Sequence, residues 1–255
     1  PSQQVVLALQ TNGMLLDTEW AAFLKKNNFL VGLSIDGPAS AHDCYRTRYD
    51  GSPTHEVVAR NMAMLREQGV EFNTLTVVSK SNVHRAAEIF DYLQSNGSGY
   101  MQFIPCVEKD RESADGSIAA FSPTPGEYAD FLCTIFDKWI GDGMPSCYVR
   151  FFDEMLISYV NYRSPSCYFA PYCVANLVVE HNGDIFPCDF FVEPDWYLGN
   201  INTKTMEEIA ANPKLQRFIL RKNEIDSRCR TCKWLPLCWG DCCKYRLTQE
   251  GRSSQ

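Results

Sequence analysis

Apolar and polar positions alternate along the N-terminal half of the chain in a pattern typical of an α/β protein. Four short segments are apolar almost throughout and predict buried strands: 5–10, 29–36, 72–78 and 100–107. Amphipathic segments predict helices over about 17–26, 54–68, 82–97 and 124–140. Thr54 and Asn82 are predicted to cap the second and third of these helices, and Thr124 with Glu127 predicts a capping box at the start of the fourth. Apolar strands separated by amphipathic helices form parallel sheets that helices cover. The pattern therefore predicts an α/β domain, either a partial barrel or an open doubly wound sheet.

Polar residues follow the ends of the predicted strands. Asn12, Ser34 and Asp36 are three of them, and Ser79 and Gln102 lie in comparable places. In a barrel the carboxyl ends of the strands carry the functional site, so these residues predict a site at that rim. Each of them taken alone fits an ordinary turn equally well. The phosphate-binding motifs GxGxxG and GxxxxGK[ST] follow none of the strands, which disfavours a nucleotide-binding Rossmann domain.

The composition narrows the class of protein. Of the 255 residues 45% are hydrophobic, enough for a sizeable core, and the net charge of −7 disfavours a general nucleic-acid binder. No stretch approaches about 18 consecutive apolar residues, and no signal peptide opens the chain. We expect a cytoplasmic protein that binds neither nucleic acid nor membranes. Because the chain begins at Pro1 beside a strand-like segment and stops without a closing element, we also expect a fragment.

The C-terminal part of the chain has a different composition, since eight of the twelve cysteines lie between Cys167 and Cys243. This change predicts two domains, an α/β domain over 1–147 and a cysteine-rich domain over 148–255. In the second domain, patterning predicts an aromatic helix over 148–162, a hairpin around 177–186 and a helix over 205–220. The Asn-Gly pair inside the hairpin is suited to a tight turn.

The run Cys229-x2-Cys232-x5-Cys238-x3-Cys242 predicts a metal site. Turns of two to five residues let thiolates converge on one centre at a small loop-closure cost. Structural zinc is one interpretation. Seven or eight cysteines exceed one tetrahedral site, however, and they fit either two zinc ions or two iron–sulfur clusters.

With Cys167-x5-Cys173-x14-Cys188 ahead of it, this run resembles the SPASM auxiliary-cluster domain of radical S-adenosylmethionine enzymes. The segments VEFNTLTVV, YMQFIP, NGDIFPCDFF and CRTCKWLPLC closely resemble anaerobic sulfatase-maturating enzymes of that superfamily, and the resemblance covers nearly the whole chain. Such enzymes convert an active-site Cys or Ser of a sulfatase to Cα-formylglycine. The resemblance implies a partial (β/α)6 barrel, truncated at its N-terminus, followed by a small SPASM domain with a hairpin and helices.

The resemblance also implies two auxiliary [4Fe–4S] clusters in this chain. The first would be ligated by Cys167, Cys173, Cys188 and Cys242, and the second by Cys229, Cys232 and Cys238, its fourth ligand lying beyond the last residue. Cys243 has no counterpart as a ligand and is either a neighbouring free thiol or a substitute ligand. The family's CxxxCxxC motif, which holds the cluster that cleaves S-adenosylmethionine, is absent from this sequence. We therefore expect the chain alone to be inactive.

Other site residues follow from the same resemblance. Asp189, directly after the third cluster cysteine, matches the proposed general base; its alternative role is to order the end of the hairpin. Ser34 and Asp36 match a segment that contacts the ribose of S-adenosylmethionine, and Asn12 lies at the same rim. Arg46 and Arg60 are candidates for the carboxylate of that cofactor, since guanidinium groups pair with carboxylates bidentately, and a solvated surface role stays open for both.

The implied reaction begins when a reduced cluster cleaves S-adenosylmethionine to a 5′-deoxyadenosyl radical. The radical takes a hydrogen atom from Cβ of the target residue, while Asp189 accepts the proton and an auxiliary cluster accepts the electron. The implied partners are a sulfatase polypeptide with a CxPxR or SxPxR motif and an electron donor such as flavodoxin or ferredoxin. Two alternatives stay open: another SPASM peptide-modifying enzyme, for example one that makes thioether crosslinks, and a non-enzymatic zinc module.

Overall fold

The computed structural model describes residues 5–110, 112, 117–141, 143–161 and 166–246. The described residues form two compact units. The first contains the residues up to Glu108 together with Ala120–Asp153, and the second contains those of Lys109–Ala119 and from Glu154 onward. No helix among the described residues is long and apolar enough to cross a membrane.

A five-stranded parallel sheet is the centre of the first unit. Its strands lie side by side in chain order: β1 Ala8–Thr11, β2 Leu30–Ser34, β3 Phe72–Val78, β4 Tyr100–Pro105 and β5 Tyr148–Val149. The predicted α/β fold with a parallel sheet is confirmed. A doubly wound sheet reverses its strand order at a switch point, and no reversal occurs among these strands. β5 is a finding that the pattern missed, since the predicted aromatic helix over 148–162 starts only at Arg150. Residue 162 lies outside the described residues.

Among the described residues, five helices connect the strands of this unit: α1 Thr18–Lys26, α2 Ala39–His42, α3 His55–Gln68, α4 Ala86–Ser95 and α5 Pro125–Ile140. A further helix, α6 Arg150–Asn161, begins in this unit directly after β5 and continues into the second unit. The apolar faces of the helices and the sheet form one core, in which Val31, Leu65 and Ile89 are fully buried. The predicted capping box of α5 is present, with Thr124 and Glu127 each bonded to the other's backbone. Asp17 caps α1 by accepting a hydrogen bond from the Trp20 N–H.

Two predicted helix caps are wrong. Thr54 precedes α3 but makes no capping bond with its side chain. Asn82 does not cap a helix either, because its side chain joins the amide of Ser79 and the carbonyl of Val77. Asn82 thus stabilises the end of β3, whereas Thr54 bonds within the loop that connects β2 to α3. The bonds of Thr54 belong to the site described below.

The second unit is built on small elements. The predicted hairpin is confirmed as β6 Val178–Val179 paired with β7 Asp184–Phe186, and β8 Gly199–Asn200 adds a third antiparallel strand. The predicted helix over 205–220 is two helices, α7 Met206–Ala210 and α8 Pro213–Leu220, because Asn212 and Pro213 start a new helix. Two short helices follow, α9 Ser227–Arg230 and α10 Leu235–Cys238. A small core around Ile185 and Ile209 supports the sheet.

Candidate functional site

Four cysteines of the second unit share one electrostatic neighbourhood. They come from four places: Cys167 starts a short 3₁₀ turn, Cys173 is tied to α8 through the Ile219 carbonyl, Cys188 follows β7, and Cys242 follows α10. Cys242 is the common neighbour, because its thiol acts on the pKa of Cys173 and Cys188 and is itself acted on by Cys167. The four residues predicted for the first auxiliary cluster therefore lie close enough for their charges to interact.

Burial dominates the acid–base behaviour of two of these thiols, Cys242 and Cys188. It raises the pKa of Cys242 to about 12, with Asp241 and Cys167 adding to the effect. Burial also raises the pKa of Cys188 to about 12, and the hydrogen bond to Asp189 contributes. A buried thiolate is unfavourable without positive charge beside it, whereas a coordinated metal deprotonates a thiol outright. The donor set suits a centre that supplies positive charge.

Of the cysteines predicted for the second auxiliary cluster, Cys229 lies on α9, Cys238 ends α10, and Cys232 lies in the turn between the two helices. The Cys232 amide donates to the Cys229 carbonyl at 3.1 Å, which closes the turn between these two residues. Burial raises the pKa of Cys238, and Cys229 is one of the neighbouring charges that add to the rise. Within the described ranges, no group of three or more His, Cys, Asp or Glu side chains is arranged to hold a single metal ion.

Cys243 lies against the first group of cysteines. A side-chain hydrogen bond links it to Cys173, and this bond lowers the pKa of Cys243 to about 6 while raising that of Cys173. The positive charges of Arg246, Arg221 and Lys222 also favour the thiolate of Cys243. The sequence left open whether Cys243 is a neighbouring free thiol or a substitute ligand. In the structure its side chain lies in direct contact with Cys173, a predicted ligand.

Two buried cations frame the first group of cysteines, and sequence reasoning missed both. Lys222 is 1% exposed, and its ammonium donates to the carbonyls of Cys167 at 2.6 Å and Tyr168 at 2.7 Å. Arg246 is 4% exposed and donates only to backbone carbonyls. Among the described residues, neither cation forms an ion pair with a carboxylate. Buried charges require compensation, so this pocket fits an anionic group such as a thiolate-bound iron–sulfur cluster.

Asp189 lies beside the same group of cysteines. It starts a 3₁₀ turn immediately after Cys188, and its side chain is exposed. The Cys188 thiol donates to Oδ1 of Asp189 at 3.3 Å. The carboxylate therefore combines access to solvent with direct contact to a predicted cluster ligand.

The predicted rim residues of the first unit take different places. Asn12 accepts a hydrogen bond from the Met14 amide, as an ordinary turn residue does. Ser34 ends β2, and Arg60 lies exposed on α3. Asp36 and Arg46 are brought together: Arg46 Nε lies 2.6 Å and Nη2 3.1 Å from the Asp36 carboxylate.

Asp36 is the centre of a buried hydrogen-bond network. Its carboxylate also accepts the Val77 amide at 2.8 Å, and it is only 5% exposed. Its own amide donates to His42 Nδ1 at 3.2 Å. His42 Nε2 therefore carries the proton and donates to Thr54 Oγ1 at 3.1 Å, and the Thr54 hydroxyl donates to the Arg46 carbonyl. Together these bonds close a ring: Asp36 to His42, His42 to Thr54, Thr54 to Arg46, and Arg46 back to Asp36.

His42 enters this network as a neutral base. It is 1% exposed, and burial lowers its pKa from 6.5 to about 4 against an opposing effect of Asp36. Sequence reasoning missed His42 and Thr54, because their spacing matches no motif and Thr54 fits a helix cap. The only available signal was the accumulation of polar residues between the apolar β2 and the amphipathic α3.

Known proteins match both the cysteine-rich part of the chain and the chain as a whole. Residues 167–233 match the SPASM family, an iron–sulfur cluster-binding domain. The serine-type anaerobic sulfatase-maturating enzyme of Bacteroides thetaiotaomicron is 34% identical over 254 residues, which cover 94% of this chain and 61% of the relative. The cysteine-type enzyme of Clostridium perfringens strain 13 is 36% identical, with 95% of this chain and 66% of the relative covered. The chain thus spans a little over three fifths of the first of these relatives.

Solved structures also match nearly the whole chain. Native anSMEcpe with bound AdoMet matches 97% of this chain and 68% of its own at 33% identity and a TM-score of 0.88. Streptococcus suis SuiB, at 16% identity and a TM-score of 0.62, shares the fold. One third of the aligned residues are identical over more than two thirds of a solved relative, and the curated relatives agree with it. The chain belongs to the family of anaerobic sulfatase-maturating enzymes.

Proposed function

We propose that this chain is part of a radical S-adenosylmethionine enzyme that oxidises a Cys or Ser of a sulfatase to Cα-formylglycine. The observation that carries the proposal is that Cys167, Cys173, Cys188 and Cys242 share one electrostatic neighbourhood with the buried Lys222. The likeness to serine-type and cysteine-type sulfatase-maturating enzymes supports the reaction.

In this proposal the first unit is most of a partial (β/α)6 barrel that lacks its N-terminal part, and the second unit is a SPASM domain. The chain-order arrangement of the five parallel strands supports a barrel wall, since neighbouring strands of such barrels are consecutive βα units. The family match over 167–233 supports the second assignment.

The cysteines hold two auxiliary [4Fe–4S] clusters, one on Cys167, Cys173, Cys188 and Cys242 and one on Cys229, Cys232 and Cys238. When bound, the clusters supply one-electron transfer and S-adenosylmethionine supplies the power to abstract hydrogen. The protein's task is to bind, orient and shield these groups. A third cluster, held by the CxxxCxxC motif of the full-length protein, completes the proposed set.

Asp189 accepts the proton of the substrate thiol or hydroxyl. Its exposure gives a substrate access, and its place directly after Cys188 in the chain would keep it beside a bound cluster. Ligation would remove the Cys188 proton, which would leave Oδ1 of Asp189 available to accept another hydrogen bond. A general base must lie within hydrogen-bond reach of the proton that it removes.

The rim of the first unit binds S-adenosylmethionine. An ionised carboxylate has about four acceptor positions, and Arg46 and Val77 occupy three on Asp36, so one remains for a ribose hydroxyl. Ser34 and Asn12 end adjacent strands and line the same rim. Since Arg46 is engaged by Asp36, the exposed Arg60 is the better candidate for the carboxylate of the cofactor.

The substrate is a sulfatase segment with a CxPxR or SxPxR motif, and a flavodoxin or ferredoxin supplies electrons. A second structure of anSMEcpe, with bound AdoMet and the Kp18Cys peptide, supports a peptide substrate. The test is to purify the full-length gene product anaerobically and incubate it with both peptides, S-adenosylmethionine and a reductant. We expect formylglycine in at least one peptide by mass spectrometry. A thioether crosslink would favour the other SPASM chemistry, and a zinc-loaded, colourless protein would favour the zinc module.

A further inference from the structure

Lys222 is a buried cation that the proposed reaction does not use. It lies in the 3₁₀ turn Arg221–Asn223 that directly follows α8, and the amphipathic α8 places this turn against the core of the second unit. The ammonium group is 1% exposed. A lysine is almost never fully buried unless a partner compensates its charge.

The hydrogen bonds of Lys222 and Arg246 connect the segment that starts at Cys167 to the run that contains Cys238 and Cys242. Its ammonium donates to the carbonyls of Cys167 and Tyr168. Its own carbonyl accepts Nη1 of Arg246 at 3.1 Å. Nε and Nη2 of Arg246 donate to the carbonyls of Gly240 at 2.7 Å and Trp239 at 2.8 Å, in the run that contains Cys238 and Cys242.

The positive charges of both residues lack an ion-pair partner. The five N–H groups of Arg246 bond to five backbone carbonyls: those of Lys222, Glu224, Trp239, Gly240 and Asp241. Lys222 likewise donates to neutral carbonyls, and among the described residues no carboxylate lies within ion-pair distance of it. Asp241 acts on Lys222 only through space, followed by the thiols of Cys173 and Cys167. The groups that balance Lys222 are therefore the buried carboxyl of Asp241 and, after it, two of the predicted ligands, Cys173 and Cys167.

A four-thiolate [4Fe–4S] cluster has a net negative charge that grows by one electron on reduction. A fixed cation beside it stabilises the reduced form more than the oxidised form. Resting on the proposed function, we infer that Lys222 is a positioning residue that raises the reduction potential of the first auxiliary cluster. Its charge makes this cluster a better acceptor for the electron that leaves the substrate.

The test is a redox titration of the full-length protein after anaerobic reconstitution, with both auxiliary clusters followed by electron paramagnetic resonance. Lys222→Met removes the charge and keeps most of the side-chain volume, Lys222→Arg keeps the charge, and Lys204→Met removes an exposed charge from the same unit. We expect Lys222→Met to lower the reduced-to-oxidised ratio of one cluster at least about tenfold at a fixed potential, or about 59 mV for one electron. The other cluster serves as the internal control. Lys222→Arg and Lys204→Met should leave both clusters near their wild-type potentials.

Unchanged potentials in Lys222→Met would overturn the inference. If neither Lys222→Met nor Lys222→Gln loads the first cluster, Lys222→Arg decides: normal loading shows that the cluster requires the charge, and failed loading assigns Lys222 a purely structural role. The iron content of the wild-type protein separates this test from the proposed function. A wild-type protein that binds zinc contradicts the proposed function itself, whereas two iron–sulfur clusters without a shift contradict only the role of Lys222.

Discussion

Lowering the pH is expected to destabilise the first unit through His42. The ring is buried and neutral, it accepts the Asp36 amide at Nδ1, and it donates to Thr54 at Nε2. A second proton would occupy the acceptor position and break the hydrogen bond to Asp36. Since Asp36 also joins Arg46 and the end of β3, protonation disrupts the loop that connects β2 to α3.

The expected magnitude follows from the pKa of His42, which burial lowers from 6.5 in the unfolded chain to about 4 in the folded protein. Between these two values the unfolded chain binds more protons, so stability is complete above pH 6.5 and falls as the pH drops toward 4. The loss amounts to about 2 kcal/mol at pH 5 and about 3 kcal/mol at full protonation.

Hydrogen exchange measured by mass spectrometry at pH 7 and pH 5, corrected for intrinsic exchange rates, gives the local free energy of opening for β2 and β3. His42→Asn is the matched variant, because its Oδ1 can accept the Asp36 amide but does not titrate in this range. The wild-type protein should lose about 2 kcal/mol more than the variant between the two pH values. Equal losses in the two proteins, or an NMR titration of His42 with a midpoint near 6.5, would refute the reasoning.

Three further predictions concern the second unit. Cys188→Ala should remove about four irons per full-length protein if Cys188 ligates a [4Fe–4S] cluster, and unchanged iron and sulfide content would exclude this ligand. Asp189→Asn should still cleave S-adenosylmethionine but form roughly 10²–10⁴-fold less formylglycine, and a near-normal yield in the peptide assay would make Asp189 structural. Gly240→Ala should cost at least about 1 kcal/mol, because φ is +73° and the new Cβ would lie 2.8 Å from Nη2 of Arg246. Thermal unfolding should show this loss beside a Gly126→Ala control that loses no stability, because its Cβ meets nothing within 4 Å and alanine favours the helix more than glycine does.

Local pattern was enough to predict the frame of both units. Apolar runs marked four of the five strands of the parallel sheet, and the capping box at Thr124 and Glu127 marked the start of α5. The Asn182-Gly183 pair marked the turn of the hairpin, where Gly183 has a φ of +88°. These features depend on neighbours in sequence, and the sequence therefore predicts them.

The site residues that the sequence missed depend on distant partners. Thr54 fits a helix cap by its position, yet its hydroxyl bonds to His42 and Arg46, since a threonine can serve either partner. Lys222 follows an amphipathic helix and is expected at the surface by composition, but it is buried against a carbonyl 55 residues earlier. β5 has two residues, too few for a periodic signal. The grouping of the cysteines came from the family resemblance, because spacing alone does not pair Cys167 with Cys242.

The tie between Lys222 and the Cys167 carbonyl has a consequence for the protein's biosynthesis. In the first unit each new strand of the sheet finds its partner in the preceding strand, so pairing can advance while the ribosome adds residues. The carbonyl of Cys167, in contrast, bonds to Lys222, which is translated 55 residues later. At about 5–20 residues per second this is a delay of about 3–11 seconds, during which the turn at Cys167 lacks its anchor. If Cys167, Cys173, Cys188 and Cys242 hold a cluster as proposed, iron delivery to them is therefore expected only after translation of Cys242.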